Sequence, residues 1–261
     1  MENEKKVKIK VTDLEMIYES GLALNKVNFE IYDGEFLSIL GPSGCGKTTI
    51  LRILIGLLKP TGGKIEFNGK DITNNAPSER KMGIVFQNYA LFENMTVLGN
   101  VEYALRCQKG NNTKEKRQEI REIATKMIEK MGLSKEIDKK PIELSGGQQQ
   151  RVAIARTLVK KPDVILFDEP MAALDVETRL SLREEIKKIQ KELNTTIIYI
   201  THDQEEAFAM SDRIMVMKNA NIVQIDTPEN IVENPADDYV KDFVIRNLQI
   251  KIDSLKKYIK V

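Results

Sequence analysis

A glycine-rich segment beginning at residue 41 has the residue types and spacing of a phosphate-binding loop. Residues 41–48 read GPSGCGKT and match the pattern GxxxxGK[ST], between a predicted strand and a predicted helix. Glycines let backbone N–H groups converge on phosphate oxygens, while Lys47 and Thr48 can reach the terminal phosphates and Mg²⁺. We therefore predict an ATP-binding loop formed by Gly41, Pro42, Ser43, Gly44, Cys45, Gly46, Lys47, Thr48 and Thr49.

One position of this loop, Cys45, carries a thiol close to the predicted start of a helix. A helix N-terminus can lower the pKa of a thiol and increase its reactivity. This interpretation predicts that alkylation of Cys45 blocks nucleotide binding and that ATP protects the thiol. The favoured interpretation is that Cys45 occupies a tolerated variable position of the loop, and the reactive thiol is the alternative.

Two carboxylates follow a second apolar segment. Residues 164–167 (VILF) precede Asp168 and Glu169. A buried strand delivers its last side chains to the sheet edge, where ligands of open α/β folds bind. Asp168 is placed to hold Mg²⁺ through water, and Glu169 to orient or deprotonate an attacking water. A solvated strand end is the alternative for this pair taken alone.

The elements that must position these residues alternate between strands and helices. Apolar runs and turn residues predict strands at 7–17, 27–31, 36–40, 64–67, 83–86, 163–167, 196–200, 214–217 and 222–225. Helical spacing predicts helices at 47–58, 97–106, 114–131, 145–160, 176–193 and 203–210, with a polar linker at 109–113. The pattern predicts an α/β fold with a mostly parallel sheet and an inserted helical lobe.

The composition is that of an ordinary globular protein. The 261 residues suit one large domain or one domain with an inserted lobe, and the net charge of +1 argues against binding nucleic acid by charge alone. Two cysteines and one histidine are too few for a disulfide framework or a His-rich zinc site, which favours a reduced, cytosolic location. The most apolar run, 50–58, is shorter than the roughly 20 residues of a membrane-spanning helix. In a membrane process, another chain would therefore cross the bilayer.

Residues 144–148 read LSGGQ, a string that is rare by chance. Ser145 can cap the following helix, and Gly146 and Gly147 leave its N–H groups accessible to an anion. An ordinary helix cap without a ligand is the alternative. In the order phosphate loop, LSGGQ and acidic strand, residues 8–233 resemble the nucleotide-binding domain of ATP-binding cassette (ABC) proteins.

This resemblance implies an α/β fold with a P-loop NTPase core, a mostly parallel sheet, an N-terminal antiparallel β-subdomain and an inserted α-helical subdomain. The core is expected over 1–87 and 156–233, and the helical subdomain with its LSGGQ loop over 88–155. A C-terminal helical tail is expected over 234–261.

The resemblance also implies that function is dimeric, with two nucleotides held head to tail between two copies of the chain. The residues expected to meet the γ-phosphate of ATP bound by the second copy are Ser145, Gly146, Gly147 and Gln148. Asp175 resembles the aspartate of a loop that crosses the dimer interface. Ala172 stands where the family commonly has serine, so a hydroxyl contact near that interface is lost and communication between the two sites is expected to be weaker.

Three single residues also resemble functional residues of the family. Tyr18 resembles the aromatic that stacks on adenine, Gln87 the glutamine that meets Mg²⁺ and the water, and His202 the switch histidine at the γ-phosphate. A strand tyrosine, a loop amide and a structural histidine are the corresponding alternatives. The expected catalytic residues are Lys47, Gln87, Glu169 and His202, and the expected Mg²⁺ ligands are Thr48, Gln87 and Asp168.

Four further segments resemble ATPases of bacterial uptake systems for sugars, polyamines, sulfate, iron, phosphonates and compatible solutes. They are residues 88–92 (NYALF), 95–97 (MTV) with the nearby pair 100–101 (NV), 145–151 (SGGQQQR) and 201–207 (THDQEEA). The resemblance implies a peripheral subunit on the cytoplasmic side of the cell membrane, which powers import through separate permease subunits and, indirectly, a solute-binding protein, without nucleic acid. The alternatives are an exporter ATPase and a soluble ABC ATPase acting on nucleic acid or ribosomes.

Two regions have candidate contacts with partner chains. Tyr89, Leu91 and Phe92 are expected to meet a short cytoplasmic helix of the permease, with the local core of the helical lobe as the alternative. The basic C-terminal stretch has apolar residues at helical spacing, which are Leu248, Ile252, Leu255 and Ile259. A helix packed on its own domain is the favoured interpretation, and a contact with a partner is the alternative.

Overall fold

The computed structural model describes residues 6–107 and 114–256, which form two compact units. The first unit comprises the described residues up to Arg80 and from Gln190 onward, and the second runs from Lys81 to Ile189. The predicted linker at 109–113 and Ile259 lie outside the described residues. Nowhere in 6–107 or 114–256 does a helix combine the length and hydropathy needed to cross a membrane.

The strands and helices follow one another in the predicted alternation. The strands are β1 Val7–Tyr18, β2 Gly21–Tyr32, β3 Phe36–Leu40, β4 Gly62–Phe67, β5 Lys70–Asp71, β6 Met82–Val85, β7 Val164–Asp168, β8 Thr196–Thr201, β9 Arg213–Lys218 and β10 Asn221–Asp226. The helices are α1 Lys47–Ile55, α2 Val97–Arg106, α3 Lys114–Lys130, α4 Gly146–Leu158, α5 Val176–Leu193, α6 Gln204–Met210, α7 Pro228–Glu233, α8 Asp238–Val240 and α9 Asn247–Lys256, with a π-helical turn at Lys241–Arg246.

The first unit contains an antiparallel sheet and strands of a mostly parallel sheet. The antiparallel sheet has the order β2-β1-β4-β5. In the other, β3 pairs in parallel with β8 and β9, and β10 adds an antiparallel edge. Every residue of β3 and β8 is buried, which explains why both read as continuous apolar runs. This arrangement confirms the predicted α/β class with an N-terminal antiparallel sheet.

The second unit combines a parallel strand pair with helices. β6 and β7 are parallel neighbours, and α2 packs against α3 and α4. Thr96 caps α2 by accepting a hydrogen bond from Gly99 N–H at 3.1 Å. The Asn100 side chain is buried and bonds both backbone groups of Phe92, at 2.8 and 3.1 Å, which ties the segment after β6 to α2.

Helix α1 ends three residues before the predicted boundary at residue 58. Gly56 adopts a φ of 86°, and its N–H and that of Leu57 bond back to Ile53 and Arg52 at 3.0 and 2.8 Å. This left-handed glycine cap stops the helix, although Leu57 and Leu58 continue its apolar periodicity. The short helix α7, begun by Thr227 and Pro228, was not predicted.

Arg80, which lies 25 residues after the end of α1, donates hydrogen bonds to the last turn of that helix. Its side chain is 2% exposed and donates to Ile53 O and Leu54 O at 2.7 and 2.8 Å, and to Thr73 O and Asn75 O at 3.0 Å each. Burial lowers the pKa of this guanidinium. A cation at a helix C-terminus is also favoured by the helix dipole, so Arg80 stabilises the last turn of α1 by donating to Leu54 O and to Ile53 O, which also accepts from Gly56 N–H.

Replacing Arg80 with methionine should lower the free energy of unfolding by about 2–4 kcal/mol, because four carbonyl groups lose the hydrogen bonds that the buried guanidinium donates. Urea denaturation followed by far-UV circular dichroism measures the change. Arg52→Met removes an exposed cation from the same helix and should change stability by less than about 0.5 kcal/mol. Equal losses in the two variants would contradict the capping role of Arg80.

Candidate nucleotide site

The phosphate loop lies in the first unit, between the end of β3 at Leu40 and the start of α1 at Lys47. This strand–loop–helix order is the context that the sequence pattern requires. The residue at the helix N-cap is Gly46, which has no side chain to cover the first N–H groups of α1. Those N–H groups and the helix dipole favour an anion at this end of the helix.

At two positions of the loop, close neighbours leave room only for glycine. Gly46 has a φ of 109°, and a Cβ atom there would lie 2.5 Å from the Ala23 carbonyl oxygen and 2.9 Å from Leu24. A Cβ at Gly41 would lie 2.7 Å from the Met217 carbonyl oxygen. A larger residue at either position would displace backbone, so these packing contacts set the path of the loop.

The Lys47 side chain holds the loop from within. It is 5% exposed, and its ammonium group donates to Gly41 O and Pro42 O at 2.7 and 2.9 Å. A buried cation requires such partners, and here they come from the loop backbone itself. The positive charge is thereby placed inside the curve of a loop whose glycines admit phosphate oxygens.

Cys45 does not have the properties expected of a reactive thiol. Its side chain is 3% exposed, and burial raises its pKa in spite of the nearby Lys47 charge and two backbone hydrogen bonds. The prediction of a lowered pKa is therefore wrong, because desolvation of the thiolate outweighs the helix N-terminus. Cys45 fits the favoured interpretation of an unreactive loop position.

Two other predicted residues lie in the first unit. Tyr18 ends β1, where it pairs with Gly21 across the turn, and its ring is partly exposed. His202 is exposed and directly follows β8. Because β3 and β8 are parallel neighbours and Leu40 pairs with Thr201, the phosphate loop and His202 leave the sheet at the same edge.

The second unit places the predicted carboxylates and glutamine at one edge of its strand pair. Asp168 ends β7, Glu169 follows it, and both are half-buried. Gln87 is exposed in a turn after β6. Val85 pairs in parallel with Phe167, so Gln87 and Asp168 leave adjacent strands in the same direction. Glu169 has a φ of 49°, a left-handed conformation that turns the chain sharply after the strand.

The LSGGQ segment forms a capped helix start in the second unit. Ser145 Oγ accepts from Gln148 N–H at 3.3 Å, and Gln148 Oε1 accepts from Ser145 N–H at 3.0 Å. The predicted Ser145 cap is confirmed, and the Gln148 side chain completes a capping box. Gly146 and Gly147 form the first helical positions of α4.

Asp175 caps the neighbouring helix α5. Its two carboxylate oxygens accept from Thr178 N–H and Thr178 Oγ1 at 2.9 and 2.7 Å, and these bonds lower the pKa of Asp175. A Cβ atom at Gly147 would lie 2.5 Å from Thr178 Cγ2. Thr178 therefore contacts both the LSGGQ helix and Asp175. Sequence analysis missed it; the available signal was Asp175, because an aspartate before a helix accepts from a backbone N–H two or three residues later, which here belongs to Thr178.

The aromatic residues after Gln87 are packed within the second unit. The rings of Phe92 and Tyr103 lie 4.6 Å apart, and the Arg156 guanidinium lies 5.7 Å from the Phe92 ring. Arg156 also donates to Tyr89 O and Ala90 O, at 2.9 and 2.6 Å. These contacts fit the local-core interpretation, although Tyr89, Leu91 and Phe92 keep part of their surface exposed.

The described side chains contain no cluster of three or more His, Cys, Asp and Glu residues suited to a metal ion. The oxygen donors predicted for Mg²⁺ are instead distributed over the two units. Thr48 lies in the first turn of α1 in the first unit, and Gln87 and Asp168 belong to the second.

We expect Cys107, which is exposed, to react with iodoacetamide near neutral pH well before Cys45. A buried thiol with a raised pKa forms little thiolate, so the reactivity of Cys45 should increase only at alkaline pH or in denaturant. Mass spectrometry of timed digests measures both rates. Modification of Cys45 in the native protein as fast as of Cys107 would contradict the burial argument.

Comparison with known proteins places these features in a family. The sequence pattern of the ABC transporter family matches residues 24–172, more than half of the chain. The spermidine/putrescine import ATP-binding proteins PotA of Marinobacter nauticus and Lawsonia intracellularis are 43% and 46% identical to it, over 92% of this chain in both cases. The alignments cover 63% and 64% of those proteins, so the chain spans less than two thirds of their length.

Solved structures agree with this match. A dimeric ATP-binding cassette in a post-hydrolysis state with ADP and Pi bound is 35% identical, with a TM-score of 0.74 over 84% of this chain and 98% of that one. CbiO1 from Clostridium perfringens, part of the ABC transporter complex CbiONQ, is 31% identical, with a TM-score of 0.79 over 98% and 100%. The chain belongs to the ABC transporter family.

Proposed function

We propose that this chain is the ATP-binding and ATP-hydrolysing subunit of an importer and that it drives solute uptake through a separate membrane permease. The observation that carries the proposal is the loop at 41–48, in which buried Lys47 is held by Gly41 and Pro42 at the start of α1. The relatives named as import ATP-binding proteins favour import over export or action on nucleic acid. Their names point to polyamines as the class of solute.

Each predicted nucleotide contact has a physical basis. The Tyr18 ring is partly exposed and offers a face for adenine, and the open surroundings of Gly44 leave room for phosphate oxygens. Thr48, Gln87 and Asp168 offer the oxygen ligands that Mg²⁺ prefers. When bound with the nucleotide, Mg²⁺ would neutralise charge on the phosphate oxygens.

Hydrolysis in this scheme is mainly a matter of positioning. We assign to Glu169 the orientation or deprotonation of the attacking water and to His202 a contact with the γ-phosphate. Lys47 would stabilise the charge that develops on the transferred group, and Gln87 would help to hold the water. The turn at Glu169, fixed by its left-handed φ, supports a carboxylate aimed differently from Asp168.

The active form in this proposal contains two copies of the chain. Ser145 and Gly147 would meet the γ-phosphate of ATP bound by the other copy, and Asp175 would lie at the interface. Support comes from Gly146 and Gly147, which place no side chain over the first turn of α4, and from the dimeric cassette among the similar structures. Loss of the γ-phosphate removes a group held by both copies, so the dimer reopens. Permease subunits and, indirectly, a solute-binding protein would place the chain at the cytoplasmic side of the membrane.

Lys47→Ala should weaken ATP binding by about 100-fold or more, because the loop loses its buried charge-assisted donor. Titration with a fluorescent ATP analogue measures the affinity. Lys59→Ala removes an exposed lysine after α1 and should leave the affinity unchanged. Turnover near that of the wild type in Lys47→Ala would refute the role assigned to this lysine.

Glu169→Gln should bind ATP but hydrolyse it about 10²–10⁴-fold more slowly, because the amide cannot act as a base. The variant should accumulate as an ATP-bound dimer, which size-exclusion chromatography with light scattering detects. The matched control Glu177→Gln alters a carboxylate in the first turn of α5 and should behave like the wild type.

Two results would contradict the dimeric scheme. One is a Glu169→Gln variant that stays monomeric with saturating ATP. The other is full hydrolysis by the wild type at dilutions where no dimer is detected.

A further inference from the structure

The C-terminal segment, residues 238–256, is built into the core of the first unit. Val240 and Val244 are fully buried in one cluster with Leu40, which precedes the phosphate loop, and with Ala207 of α6. Leu248 packs against the same cluster. Because these contacts are apolar and buried, the position of the segment relative to α6 is well defined.

Two hydrogen bonds fasten this segment beside the predicted nucleotide loops. Gln204 Nε2, in the first turn of α6, donates to Phe243 O at 3.3 Å. The Tyr239 hydroxyl donates to Met217 O, also at 3.3 Å, and this carbonyl packs against Gly41. The C-terminal segment is thus attached to two places. One is the Met217 carbonyl that packs against the phosphate loop, and the other is the start of α6, just after His202.

One lysine of α9 makes ion pairs at the start of α6. Lys251 Nζ lies 3.0 Å from Glu205 Oε1 and 3.3 Å from Asp203 Oδ1. Burial alone would lower the pKa of Lys251, but the hydrogen bond with Glu205 and the charge of Asp203 outweigh it and raise the pKa. The side chain therefore carries its charge at neutral pH.

The contacted carboxylate fixes the backbone next to His202. Asp203 Oδ1 accepts from Glu205 N–H at 2.9 Å and caps α6. Asp203 N–H donates to Thr201 Oγ1 at 3.0 Å, so hydrogen bonds join the residues on both sides of His202. The same Asp203 oxygen that caps α6 contacts Lys251.

We propose that Lys251 is a positioning residue for His202. By holding the Asp203 carboxylate at the helix start, Lys251 sets the place of the imidazole, and the C-terminal segment thereby influences the rate of ATP hydrolysis. The inference rests on the proposed function, in which His202 contacts the γ-phosphate. Lys251 acts through Asp203 and is assigned no contact with the nucleotide.

The contribution of this contact to global stability is expected to be small. The Lys251 and Glu205 side chains are 43% and 59% exposed, and exposed ion pairs stabilise proteins only weakly. Loss of the contact should therefore lower the rate of ATP turnover and change the NMR signals of His202, while the melting temperature changes little.

The test uses Lys251→Met in the full chain, which removes the charge and keeps most of the apolar stem. We expect kcat to fall about two- to fivefold with KM unchanged, as for an interaction that acts in the transition state. His202 is the only histidine in the sequence, so its ring C–H signals in NMR spectra need no assignment. These signals should shift in the variant.

Two matched variants serve as controls. Arg246→Met removes a cation of the same segment that pairs with Asp242 at 3.8 Å, and it should change neither kcat nor the His202 signals. K251E should lower kcat at least as much as Lys251→Met, because its carboxylate would repel Asp203, whereas K251R keeps the cation and should retain most of the wild-type kcat.

Wild-type kcat and unshifted His202 signals in Lys251→Met would overturn the proposal, as would an equal loss in Arg246→Met. If the wild-type chain hydrolyses no ATP, the proposed function itself fails. The His202 signals then decide the positioning claim alone: a shift in Lys251→Met supports it, and an unchanged spectrum overturns it.

Discussion

The turn between β3 and α1 is the constraint on which the nucleotide site depends. Lys47 binds the carbonyl groups of Gly41 and Pro42 from inside the loop, while the carbonyl groups of Ala23 and Met217 leave no space for side chains at Gly46 and Gly41. The N–H groups at the start of α1 are therefore oriented by the protein itself. A phosphate that binds there meets a preorganised set of donors, which reduces the entropy lost on binding.

The second unit uses side-chain caps to achieve a similar result. α4 begins with the capping box of Ser145 and Gln148, and α5 begins with Asp175 bound by Thr178. Gly147 permits the close approach of Thr178, so the two helix starts are in direct contact. Further along, Arg151 bonds Ser181 Oγ at 3.2 Å and pairs with Glu185 at 3.0 Å. These contacts fasten α4 to α5 at their first turns and further along their length.

Local signals in the sequence predicted most of the fold and the placement of the site residues on their elements. The bounds of β3, α2 and α5 agree with the prediction to the residue, because apolar periodicity and flanking turn residues coincide there. Long-range packing was the part that could not be predicted. Three examples are the burial of Cys45, the four carbonyl partners of Arg80 and the contact between Gly147 and Thr178. Each depends on residues that are far apart in sequence, and the apolar periodicity of single elements carries no information about such contacts. The end of α1 was missed for a different reason, since the apolar pattern continues past the glycine cap at Gly56.

The buried Cys45 thiol has a consequence for oxidative stress. Hydrogen peroxide attacks thiolates, and sulfenic acid forms first at cysteines that are both ionised and accessible. In the phosphate loop the thiol stays protonated and covered, whereas Cys107 in the second unit is open to solvent. Peroxide would therefore oxidise Cys107 first, at a place remote in sequence from residues 41–48, and the thiol of that loop would stay reduced for longer.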